Sequence, residues 1–189
     1  MMIPDSKFQI PNLLLVLGVI IGLSIAVSAQ KRDNLTEKED MQVREAQELD
    51  ARMKVYVKVI DRRLQAIFNP TVTPTKESKK EAEKDAETFG DVRTGTISEL
   101  FWDINKTLDE AIMKIDDAAS RDMNNPLFGK AVHILADGCQ KWSPQFKAGM
   151  DKTQDEKEKG LILNSIEFCQ QIIEASAKVS KDVPKKKKN

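Results

Sequence analysis

The chain has 189 residues, 40% of them apolar and 32% charged, enough for one helical domain with its own core. Lys+Arg and Asp+Glu stand at 30 each, and that balance gives no footing for specific nucleic-acid binding. With eight glycines, seven prolines and no long β-branched alternating runs, a sheet has little to be made from. The charge is uneven along the chain. The last twelve residues carry a local charge of +5, which leaves the remainder at −5.

Leu13 to Val27 is an uncharged apolar run of 15 residues. A transmembrane helix needs about 20. Val27 and Ala29 then offer the small side chains that a signal peptidase accepts, so cleavage is expected after Ala29. An uncleaved anchor is the alternative reading. No cysteine follows the run, which disfavours a bacterial lipid anchor. The chain therefore divides into a signal peptide (1–29), a helical domain (30–184) and a basic tail (185–189). Localisation outside the cytoplasm, periplasmic or secreted, is the expectation.

Thr36 and Glu39 have the spacing of a capping box and open a first helix expected to run to Phe68. Leu49, Met53, Val57, Ile60, Leu64 and Ile67 form its apolar stripe. Asp40/Arg44 and Glu48/Arg52 read as i,i+4 pairs on the solvent side. Asn69-Pro70 ends the helix. Thr71 to Gly90 is charged, with a thin seam of Ala82, Ala86 and Phe89, and reads as an exposed short helix or an irregular arm.

A second capping box, Thr96 with Glu99, opens the most regular stripe of the chain: Ile97, Phe101, Ile104, Leu108, Ile112 and Ile115. Asp103 and its charged neighbours are assigned mostly to the opposite face. Asn125-Pro126 starts a third helix, with Phe128, Ala131, Leu135, Cys139, Trp142 and Phe146 on its stripe. Pro144 predicts a kink or break near residues 141–143. Thr153 with Glu156 resembles a third capping box. The last helix carries Ile162, Ile166, Cys169 and Ile173 and stops before Pro184. The pattern predicts an all-α fold, an antiparallel up-down-up-down four-helix bundle with a charged arm between the first two helices.

A hairpin turning at Gln154 sets Cys139 and Cys169 at one level, each 15 residues away and each on an apolar stripe. In an exported protein this spacing predicts a Cys139–Cys169 disulfide, and two buried free thiols are the alternative. The chain has one histidine, His133, flanked by apolar residues. It lacks the partners of a nucleophilic triad. Haem ligation would need a second axial ligand such as Met53 or Met113. No Glu-x-x-His, Gly-rich phosphate loop or Gly-x-Ser-x-Gly occurs, so an enzyme is disfavoured, and neither a metal nor a cofactor is expected. The sequons at Asn34 and Asn105 are too short a signal to carry weight.

The sequence therefore points to an exported helical protein with a non-catalytic binding or scaffolding role. A small-ligand or cofactor carrier using the bundle core is the second reading. Trp102, one step off the central stripe, reads first as an edge residue of the core and second as the candidate contact for a protein partner. Lys185, Lys186, Lys187 and Lys188 read first as a solubilising terminus and second as a weak contact for anionic surfaces. If they make that contact, co-sedimentation with anionic vesicles is abolished by deleting residues 185–189. Equal sedimentation of the truncated chain rejects it.

Overall fold

A computed structural model describes residues 33–69, 76–122 and 125–181. The signal segment and the lysine tail, including Lys185–Lys188, lie outside the described residues. Among those described, the protein is all-helical, with six helices and no strand. They are α1 (Glu37–Glu45), α2 (Leu49–Phe68), α3 (Lys76–Phe89), α4 (Ile97–Asp122), α5 (Pro126–Lys152) and α6 (Glu156–Ser176). No helix among the described residues is long and apolar enough to cross a membrane.

Local chemistry explains most of the boundaries. At α1 the Thr36 side chain accepts from the Glu39 amide, and the Glu39 carboxylate accepts from the Thr36 amide at 2.9 Å. The same reciprocal pair joins Thr96 and Glu99 at the start of α4. Asn125 caps α5 through the Leu127 amide, with Pro126 at the first helical position. Gly90 ends α3 at φ +76°, a conformation that L side chains avoid.

The boundaries depart from expectation in three places. The first helix is two helices, because the backbone leaves the helical region at Ala46 and is extended at Glu48. Arg52, expected to pair with Glu48, donates instead from Nε to the Ala46 carbonyl at 3.1 Å and so caps the end of α1. The α6 cap is Asp155, which accepts from the Lys157 and Glu158 amides; Thr153 closes α5 instead. Finally, α5 runs through Pro144 without the expected break. Trp142 and Phe146, fully buried on either side of the proline, hold the helix to the core, and Trp142 Nε1 donates to Asp61 at 2.7 Å.

The core is a single cluster contributed mainly by the four long helices, including Met53, Tyr56, Ile60, Phe101, Ile104, Leu108, Leu135, Trp142, Phe146 and Ile162, with Val43 added from α1. On α2 the buried face is rotated from the predicted one. Tyr56 and Val59 are fully buried, while Val57 and Ile67 are half-buried.

Residue pairing fixes the helix directions. α2 and α4 run antiparallel, through Arg63–Asp103 and Tyr56–Glu110. α5 and α6 are also antiparallel, through Gly149–Ile162 and His133–Val179. α2 and α5 run parallel, through Asp50–Lys130 and Asp61–Lys141. α4 and α6 run parallel, through Asn105–Leu161 and the Ile115–Ala175 groove.

α4 and α5, expected as neighbours from their short connection, make only minor contact. The apolar face of α4 is divided between α2 and α6 instead. Helices about 9 Å apart leave a diagonal of roughly 13 Å. Four residue steps from Asp122 to Pro126 reach about that far.

Trp142 folds back over Gly138, where an added Cβ would lie 2.7 Å from the indole. Gly138→Ala is expected to lower stability by about 1–3 kcal/mol through overpacking, read as a lower midpoint in urea denaturation.

Candidate functional site

The most elaborate polar arrangement in the protein is a buried ionic cluster where α1, α2 and α4 meet. Glu39, Arg63 and Asp103 are all fully buried. The Arg63 guanidinium donates from Nη1 and Nη2 to the two Glu39 oxygens at 2.8 and 2.6 Å, a bidentate pair. Its Nε donates to Asp103 at 3.2 Å, and Nη2 also reaches the Asn34 carbonyl at 3.2 Å. Arg93 approaches Asp103 at 3.4 Å and donates to the Asp33 carbonyl. Arg62 lies 3.6 Å from Glu39, donates to the Gly90 carbonyl at 2.7 Å and stacks over Phe89.

Burial pushes the Glu39 carboxyl up. The Arg63 hydrogen bonds and charge, the Thr36 amide and Arg62 outweigh it, so the net shift is downward. Burial lowers the Arg62 guanidinium, against the pull of Glu39, Asp85 and Asp91. Glu39 thus does two jobs: it closes the α1 capping box and neutralises a guanidinium in the core.

A second polar contact lies along the same α2–α4 seam. Tyr56 donates to Glu110 at 2.8 Å. Burial first, and then Glu110, raise the phenol well above its ordinary range, which keeps it a donor. Asn34 Nδ2 reaches Thr107 and Glu110 at 3.3 and 3.5 Å. Every hydrogen bond named here is internal to the fold, and the chemistry of the arrangement is cross-linking: it ties the Asp33–Asn34 leader, α1, the connection after α3 and α4 to one side of α2.

The residues singled out from the sequence fall elsewhere. Cys139 and Cys169 do share a level on α5 and α6, and both are fully buried. They are free thiols, not the expected disulfide. The neighbouring Cys169 thiol and burial together raise Cys139 and keep it protonated, so the two cysteines behave as small core residues. Trp102 is half-buried beside Phe101.

His133 Nε2 lies 2.9 Å from the Val179 carbonyl and pins the turn after α6 to α5. Of the methionines considered as its haem partners, Met53 is in the core and Met113 is exposed. Among the described residues, no group of three or more His, Cys, Asp or Glu side chains is arranged to hold a metal. Both sequon asparagines are engaged by neighbouring elements, Asn34 as above and Asn105 through the Leu161 carbonyl.

Sequence reasoning placed Asp103 on a solvated face, read Glu39 only as a capping residue and assigned Arg63 no role. A usable signal existed. Arg63 follows Tyr56, Val59 and Ile60 by 7, 4 and 3 residues, which puts it on their buried face. Asp103 stands between Leu100 and Thr107 on one row of α4, and all three are buried.

No protein-family model, curated protein or solved structure matches the chain.

Removing one member leaves an unpaired buried charge, so Arg63→Met is expected to cost about 3–5 kcal/mol. The double variant Arg63→Met/Glu39→Leu should recover part of that loss in the same urea titration. A carboxylate held below its ordinary value stabilises the fold above that range and loses the contribution as pH falls through the lowered value. Wild-type protein should therefore lose stability as pH falls below the ordinary glutamate range, with a shallower slope in Glu39→Gln, read from thermal melts between neutral and strongly acid pH.

Proposed function

We propose that this is an exported helical protein with a non-catalytic binding or scaffolding role, its four long helices forming a bundle and α3 its charged arm. The observation that carries the reading is where the ionisable side chains of the interior are spent. Glu39, Arg63, Asp103, Tyr56 and Cys139 all hold elements of the fold together. An interior organised in this way favours a rigid body that presents surfaces over one that carries out a reaction. The export half of the reading rests on the apolar run and the small residues before Gln30. Trp102 remains the position proposed for contact with a protein partner, since a half-buried indole already has part of its surface ordered.

Cell fractionation followed by intact-mass measurement tests the proposal. The expected result is a chain beginning at Gln30 in the exported fraction. A chain that keeps its first 29 residues in the cytoplasmic fraction rejects export. Cross-linking in native envelope fractions should give a defined adduct that weakens in Trp102→Ala while the melting temperature stays within a few degrees.

A further inference from the structure

One end of the bundle, where α2 and α5 finish and α4 and α6 begin, is not closed. A cavity of about 400 Å³ opens there. That volume lies within the ordinary range for small-molecule sites. Its floor is aromatic. Phe68 and Phe101 meet edge to face at 6.4 Å, and Gly149 faces both rings without a side chain of its own. A Cβ at Gly149 would lie 3.3 Å from each ring, so the glycine keeps the floor clear. Ile67 and Ile97 complete the apolar lining. Ile97 opens the most regular apolar stripe of the chain, yet it is 48% exposed. The fold leaves this position uncovered.

The mouth is polar, and its groups differ in what they have left to offer. Asp155 accepts two amides of α6, and Glu158 accepts the Thr153 hydroxyl at 2.6 Å. Lys152, the one cation of the lining, has neither a hydrogen bond nor an ion pair among the described residues. The lining holds two carboxylates against this one ammonium, but both already serve as acceptors within the fold, so the donor left at the rim is Lys152. An apolar cleft with such a donor matches a molecule with an apolar body and one carboxylate head.

The geometry points to a binding site for a small amphipathic monocarboxylate, a medium-chain fatty acid or an arylalkanoate. Its chain or ring lies on Phe68 and Phe101, and its carboxylate meets Lys152. The site does not depend on the proposed partner contact at Trp102.

Isothermal titration of the purified full chain with decanoate, decanol and decylamine, each below its micellar concentration, tests the inference. Decanoate is expected to bind saturably and at least fivefold more tightly than either analogue. Lys152→Gln should remove that preference, leaving decanoate no tighter than decanol. Ile97→Trp, which fills the cleft from an exposed position, should abolish binding with the helical circular dichroism unchanged. Intermolecular NMR contacts from the decanoate chain to the Ile67 and Ile97 methyls in wild-type protein locate the site independently of any variant. No saturable binding of decanoate overturns the inference. So does equal or tighter binding of decylamine, an undiminished preference in Lys152→Gln, or contacts to other residues.

Discussion

A guanidinium buried among apolar helices must find partners for all its donors or cost several kcal/mol. Arg63 meets that constraint at each of its three nitrogens by drawing on three separate segments: Glu39 from α1, Asp103 from α4 and the Asn34 carbonyl from the leader. The partners lie 24 to 40 residues away in sequence. No local helix could supply them, so the cluster specifies how the chain closes on itself. The bend at Ala46–Glu48 belongs to the same arrangement, since it separates α1, which supplies Glu39, from α2, which supplies Arg63. Arg62, next in sequence, ties the far end of α3 to the same place through Gly90 and Phe89.

Helix existence was largely legible in the sequence, because caps and periodicity are local. The boxes at Thr36 and Thr96 and the Asn125-Pro126 start act within one turn, and each fixes a helix start. Where two local signals compete, nearest-neighbour reading falters. Asp155 outcompetes Thr153 as the cap of α6, and Pro144 is overridden by the burial of Trp142 and Phe146. The adjacency of the helices is less legible still. The short link between α4 and α5 is compatible with a side or a diagonal, and only packing decides.

The polar interior escaped the reading for a related reason. A charge on an amphipathic helix is ordinarily solvated, and only its partner, far along the chain, reveals otherwise. The two cysteines show the opposite case. Counting from the turn placed them at one level, near enough for Cys169 to act on the Cys139 thiol, but spacing carries no information about the state of the sulfurs.

The parallel pairing of α2 with α5, and of α4 with α6, has an electrostatic consequence. In an all-antiparallel bundle each helix dipole lies beside an opposed one; here like poles share an edge. Two positive ends meet where α2 and α5 begin, and two more where α4 and α6 begin. Carboxylates occupy both places. Asp50 stands in the first turn of α2 and reaches across to Lys130 of α5 at 2.6 Å. Glu99 opens α4, while Asp155, Glu156 and Glu158 crowd the start of α6. The acidic residues at the helix starts thus serve two ends of the molecule as counter-charges, and they make the less usual parallel arrangement electrostatically tolerable.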